Sequence, residues 1–101
     1  MMVKKPIFSV IIPTFDREPY VIDAVKSAVN ASPENTEIIV VNDGNDFSES
    51  TKSVLGTLNV SMFKTVGSVG AGGARNQGAN HASGQWLLFL DDDDLIAVGY
   101  W

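Results

Sequence analysis

Two spacings of apolar residues alternate along this chain. Four short, nearly continuous runs stand out: Ile7–Ile12 (IFSVII), Glu37–Val41 (EIIVV), Val60–Phe63 (VSMF) and Trp86–Leu90 (WLLFL). Runs of this length suit strands covered on both faces, as in a parallel sheet. Pro13 follows the first run and is expected to stop it, because proline neither donates to the ladder nor continues a central strand. The third run is short and is expected near a sheet edge. Helical spacing fills the gaps. Pro19 suits a first helical position, and Tyr20–Asn30 places Val21, Ala24, Val25, Ala28 and Val29 on one face. Glu49–Leu58 predicts a weaker helix with Val54, Leu55 and Leu58 as its apolar contacts. The glycine-rich stretch Gly67–Gly78 opens a third helix over Ala71–Ala82, with a stripe of Ala71, Ala74, Gly78 and Ala82 lying close against the sheet. Ser83-Gly84 ends it, and Trp86 is expected in the core.

The order is β-α-β-α-β-α-β. Such alternation implies right-handed crossovers and a mostly parallel sheet with helices on its faces, a three-layer α/β/α, Rossmann-like domain. All C-terminal strand ends then lie along one edge, where ligands of such sheets bind. Thr14–Glu18, Asn42–Asp46 and Asp91–Asp94 each follow a strand directly, and the glycine-rich loop opens on the same side. That edge would gather Thr14, Asp16, Arg17, Asp43, Arg75 and the run Asp91–Asp94. Four adjacent carboxylates repel one another, and folding does not require them; they call for a cation, a partner or a chemical task. Carboxylates, a hydroxyl and two guanidiniums suit a metal-bridged phosphate ligand. Arg75 sits near a helix N-terminus, where the dipole disfavours a cation unless an anion or the acidic run is adjacent.

Composition narrows the classes. The 101 residues suffice for one domain with a modest core, and a hydrophobic content of 45% with mean hydropathy +0.08 describes an ordinary globular chain. A net charge of −5 and a pI near 4.5 argue against nucleic acid as a partner. The chain has no cysteine, which removes disulfides, thiolate metal sites and Cys nucleophiles. No apolar run has transmembrane length, and MMVKKPIF lacks the apolar core of a signal peptide.

Each feature alone also has a plain structural role. Acidic clusters occur as solvated loops, Asp43-Gly44 makes an ordinary turn, and the glycines can serve close helix–sheet packing alone. Arg75 stands where the third glycine of a dinucleotide fingerprint should be, and no Walker-type Gly-Lys-Ser/Thr is present. His81 reads as surface or satisfied core. The joint occurrence of these features in this order is harder to dismiss.

Four segments resemble family 2 glycosyltransferases of the GT-A fold, in that family's order: FSVIIPTFDRE (Phe8–Glu18), EIIVVNDGN (Glu37–Asn45), GAGGARNQGANHASGQW (Gly70–Trp86) and FLDDDDL (Phe89–Leu95). The resemblance runs from Phe8 to Leu95 and corresponds to the N-terminal, nucleotide-sugar-binding half. It implies that Asp43 bonds the base, often uracil, beside Pro13 and Thr14, with Asp16 and Arg17 in the matching loop. It implies further that Arg75 holds the base or pyrophosphate side and that Asp91, Asp92 and Asp93 form the Asp-x-Asp segment. Asp93 is then the main ligand of Mn²⁺ or Mg²⁺, with Asp91 supporting and Asp92 near the ribose. Asn42 stands where the family often has Asp, and Gly44-Asn45 where it often has Gly-Ser.

The activity implied is inverting, hexosyl-type transfer from a nucleotide-diphosphate sugar, expected as a UDP-sugar, to a hydroxyl of a carbohydrate or lipid-linked acceptor. The location implied is cytoplasmic, at the membrane's cytoplasmic face for a full-length protein. Family members are typically more than twice this length. The general base is expected beyond residue 101, so residues 1–101 are expected to be a truncated, inactive donor-binding domain. A homo-oligomer through apolar surface uncovered by truncation, including Leu95–Trp101, is a further expectation. Two other readings remain: a non-catalytic nucleotide-binding module, and a phospho-receiver domain. The receiver would need an acidic pair after strand one and an Asp after strand three, which this chain lacks.

Overall fold

The computed structural model describes residues 6–66 and 68–95. Seven elements follow in order: β1 (Phe8–Thr14), α1 (Glu18–Ala31), β2 (Thr36–Asn42), α2 (Glu49–Thr57), β3 (Ser61–Lys64), α3 (Gly70–His81) and β4 (Trp86–Phe89). The strands form one sheet in the order β3-β2-β1-β4, and every pairing is parallel. Residues 8–11 of β1 face β4, whereas the whole of β1 pairs with β2, from Phe8↔Thr36 to Thr14↔Asn42.

Burial divides the molecule into three layers. On one face Val10, Ile12, Ile38 and Val40 pack with Val21, Ala24, Val25 and Ala28 of α1 and with Leu55 of α2. On the other, Ile11, Ile39 and Val41 meet Ala74 of α3. The alternation of β1 and β2 residues between two cores follows from the period of two along a strand. Gly78 is where α3 comes nearest the sheet: a Cβ there would collide with Ile11 Cγ2 and come within 3.0 Å of Val41 Cγ2. α2 begins with Ser48 as N-cap, its hydroxyl accepting from the Thr51 amide at 3.2 Å. α1 has no side-chain cap at Arg17; its Glu18 instead accepts from the Ser48 amide at 2.7 Å and ties the two helix starts together.

Several local expectations change. β1 does not stop before Pro13, which pairs with Val41 inside the strand. The Leu90 amide donates to Ile11 O, so Ile11 and, two residues on, Pro13 face the β4 side of the sheet. The β4 ladder ends at Ile11↔Phe89, so the missing proline N–H costs no bond there. The fourth strand is not buried on both faces. Among the described residues it forms a sheet edge, and α3 lies over β1 and β2. Trp86 is consequently 65% exposed and not in the core, with Leu87 and Phe89 also exposed. Val29 is exposed, the covered stripe of α1 ending at Ala28. Gly70, Gly72 and Gly73 belong to α3 itself, with the loop before it shorter than expected. β3 lies at the other edge, as expected from its length. His81 is exposed and stacks flat on Phe63, centroids 3.9 Å apart. Gly67, the first five residues and residues 96–101, with the expected apolar tail, lie outside the described residues.

Candidate nucleotide-binding site

The three loops that follow β1, β2 and β4 meet at one edge with the start of α3. They enclose a cleft of about 410 Å³ lined by Pro13, Thr14, Arg17, Asp43, Arg75 and Asp91–Asp93, with Phe15, Ser68, Gly70, Ala71 and Ala74 completing it. The backbone continues the sheet order past the strand ends: the Asp43 amide donates to Thr14 O, and the Thr65 amide to Asn42 O. Pocket walls are thus extensions of the ladder.

Asp43 is buried, and three donors reach its carboxylate, which leaves acceptor capacity for one more. Its carboxylate accepts from the Thr65 hydroxyl at 2.5 Å and from the amides of Val69 and Gly70 at 2.9 Å each. The Thr65 hydroxyl above all, then the Val69 and Gly70 amides, hold its pKa below the ordinary Asp value. It is an acceptor-only group at neutral pH. The same bonds fix the first turn of α3 to the end of β2, and with it Arg75. Thr65, Ser68 and the two amides carry no sequence signature; their roles come from the position of the chain after β3. Asn42 is likewise structural: its side chain accepts from the Gly44 amide at 2.9 Å and donates to Asn45 O at 2.8 Å, closing the turn after β2.

The acidic run is folded, not extended. The Asp94 amide donates to Asp91 O at 3.0 Å, a turn that separates the carboxylates by direction. Asp92 points inward, buried, and accepts from the Thr14 hydroxyl at 2.8 Å. Asp91, Asp93 and Asp94 stay exposed, each offering an oxygen within 4.8 Å of the others. Three converging carboxylates on a solvent-facing turn are oxygen donors of the kind that Mg²⁺ and Mn²⁺ take while keeping positions for water and phosphate, so the donor set fits a hard dication. Asp94 belongs to that set, beyond the Asp91 and Asp93 pair expected from the sequence. Arg75 Nη2 lies 3.1 Å from Asp91 Oδ1, and Arg17 Nη2 3.4 Å from Asp93 Oδ2.

Asp16 does not line this cleft. It adopts a left-handed backbone (φ 53°) and accepts from the Asn45 amide at 2.7 Å, facing a neighbouring pocket of about 220 Å³ shared with Lys64. There it braces the turn after β2.

An all-parallel α/β/α sheet with a cleft at its C-terminal edge is common to many α/β folds, and its likeness to glycosyltransferases of solved structure identifies this one as GT-A. The chain belongs to glycosyl transferase family 2, whose profile matches residues 9–101. It is 38% identical over 100 residues to the GalNAc(5)-diNAcBac-PP-undecaprenol β-1,3-glucosyltransferase of Campylobacter jejuni, an overlap of 93% of this chain and 32% of that protein. S. aureus TarS 1–349, solved in complex with UDP, superposes with a TM-score of 0.75 at 31% identity over 88% of this chain and 28% of that one. The mannosyltransferase PcManGT of Pyrobaculum calidifontis, solved with GDP-Man and Mn²⁺, gives a TM-score of 0.73 over 91% of this chain and 29% of that one. At 20% identity that likeness concerns the fold alone. The chain spans about a third or less of the length of each of these three proteins. No helix among the described residues is long and apolar enough to cross a membrane.

Proposed function

We propose that this cleft binds a nucleotide-diphosphate sugar, a UDP-sugar, together with Mn²⁺ or Mg²⁺, as the donor half of an inverting hexosyltransferase. The observation that carries the reading is the convergence on one sheet edge of a buried, ionised Asp43, two arginines and three mutually close carboxylates. Asp43 accepts hydrogen bonds and donates none. It therefore complements the N3–H of uracil and repels cytosine, whose N3 is itself an acceptor. Arg75 and Arg17 stand where a diphosphate would lie between base and cation, and guanidinium forks match phosphate oxygens. Asp93, Asp91 and Asp94 would hold the cation, and Asp92, oriented by Thr14, supports the ribose side. When bound, the cation supplies Lewis-acid stabilisation of the departing nucleoside diphosphate.

The acceptor on this reading is a hydroxyl of a carbohydrate or lipid-linked glycan, a class suggested by the undecaprenol-linked name of the C. jejuni relative. An inverting displacement also needs a base for that hydroxyl. We assign the base and the acceptor site to further sequence, in keeping with the share of its relatives that this chain spans, so residues 1–101 alone are expected to transfer no sugar. Calorimetric titration of UDP, CDP, GDP and ADP, with and without Mn²⁺, tests the donor site. UDP binding that requires Mn²⁺ and is lost in Asp93→Ala supports it. Equal affinity for all four nucleotides, or binding indifferent to both Mn²⁺ and Asp93→Ala, refutes it.

A further inference from the structure

Both arginines of the cleft are paired with the carboxylates that would take the cation. Arg17 reaches Asp93 at 3.4 Å through Nη2 and Asp92 at 3.7 Å through Nε. Arg75 reaches Asp91 at 3.1 Å. Asp91 and Asp93 are two of the three groups whose oxygens lie within 4.8 Å of one another. A dication placed among them would sit a few ångströms from two guanidiniums, and like charges at that separation repel appreciably even in a wet site. In the absence of the cation, the same arginines relieve the mutual repulsion of the acidic run. The two charges therefore compete for one set of oxygens.

Arg17 has somewhere else to go. It is the N-cap residue of α1, so its backbone is anchored, and its side chain is partly exposed. Its guanidinium also lies over the Tyr20 ring at 4.8 Å, a cation–π contact that keeps it at the cleft mouth when it leaves the acidic run. A diphosphate entering the cleft offers both arginines new anionic partners.

We propose that Arg17 and Arg75 are counter-ions of the acidic run that must be handed over to the diphosphate for the cation to bind well. Cation and nucleoside diphosphate then bind cooperatively, each strengthening the other by the same factor. This rests on the donor-site reading above. It assigns the arginines a second role beyond phosphate contact: they hold down the affinity of the empty protein for cation, so that the loaded state forms as a unit.

The test is a titration of Mn²⁺ followed by the paramagnetic resonance of free Mn²⁺, with and without saturating UDP. The wild-type protein binds Mn²⁺ weakly alone and more tightly with UDP. Arg17→Gln binds Mn²⁺ alone about two- to fivefold more tightly, the range expected when an exposed ion pair is removed, and loses the corresponding part of the UDP-induced gain. Arg17→Lys keeps the charge and stays near wild type for Mn²⁺ alone. Thermal unfolding of each variant confirms that it is folded. A merely structural Arg17 would weaken both affinities together. Unchanged or weakened Mn²⁺ binding in Arg17→Gln overturns the inference while leaving the donor site intact. Failure of the wild-type protein to bind Mn²⁺ even with UDP overturns the metal-site reading itself, and this inference with it.

Discussion

The Thr14 hydroxyl donates to Asp92 Oδ2 at 2.8 Å, joining residues 78 positions apart in the chain. Thr14 is the last residue of β1, and Asp92 lies in the turn after β4. Both are buried, so this bond holds the acidic turn back against the sheet edge and leaves Asp91, Asp93 and Asp94 exposed, the first two of them lining the cleft. Thr14→Val keeps the shape and removes the donor. It should cost about 1–2 kcal/mol of stability, the usual penalty for an under-satisfied buried acceptor, or roughly 4–8 °C in unfolding midpoint per kcal/mol. Mn²⁺-dependent UDP binding should weaken as well, while Thr14→Ser stays near wild type in both. Calorimetric melting and titration of the two variants check this.

Asp43 gives the stability a pH signature. Its three donors hold the folded-state pKa below the unfolded value of about 3.9. Its contribution is therefore present at and above that value and is lost as pH falls towards and through the lowered pKa. Glu18 acts in the same direction, its pKa lowered chiefly by the Ser48 amide. Thermal melts should show a midpoint nearly flat from pH 7 to about 5 and falling below about 4. In Asp43→Asn the midpoint should be lower at pH 7, and its gap from wild type should narrow on acidification. A gap that widens as pH falls contradicts the assignment.

Two glycines of α3 should respond oppositely to the same change. Gly78 has Ile11 and Val41 where a Cβ would go, whereas Gly72 has nothing within 4 Å. Gly78→Ala should push α3 off the sheet and destabilise by about 1–3 kcal/mol. It should also weaken UDP binding, since α3 carries Arg75. Gly72→Ala should be neutral or stabilising by up to about 1 kcal/mol, through helix propensity alone. Denaturant unfolding of the pair decides the matter.

What could be read from the chain and what could not divide along local and non-local lines. The seven elements, their alternation and the gathering of polar loops at one edge follow from periodicity and strand direction, which neighbouring residues carry. The exposure of Trp86 depends on β4 lying at a sheet edge among the described residues and on α3 covering β1 and β2, neither of which is written in WLLFL. Pro13 was legible as a breaker, but its harmlessness in β1 depends on where the β4 ladder ends. In the cleft, the acidic run and both arginines were visible as residue types. That Asp92 turns inward while Asp94 joins Asp91 and Asp93 comes from a turn, and identical side chains in a row give no hint of direction. Thr65 and Asp16 show the same limit: one bonds Asp43 and the other braces the turn after β2 through contacts between distant segments.

Glu37 offers a control for separating folding from binding. Read along the chain it is merely the polar first residue of EIIVV, yet its Oε2 accepts from the Ser9 hydroxyl at 2.6 Å and from the Ser83 amide at 2.5 Å. The Gly84 amide in turn donates to Ser9 Oγ at 2.9 Å, so one carboxylate pins the α3–β4 connection to the starts of β1 and β2. A Cβ at Gly84 would lie 2.5 Å from Ser9 Oγ, which shows how closely that connection passes. All of this lies at the end of the sheet opposite the cleft. Glu37→Ala should therefore cost about 1–3 kcal/mol, because it leaves the buried Ser9 hydroxyl without its acceptor and removes the tie to the exposed Ser83 amide. Under conditions where the variant is still folded, its affinity for UDP with Mn²⁺ should stay within about twofold of wild type, since sites this far apart combine almost additively. A loss of UDP affinity in Glu37→Ala comparable to that of Asp93→Ala would mean that the α3–β4 connection transmits to the cleft, and that the two ends of the sheet are not independent.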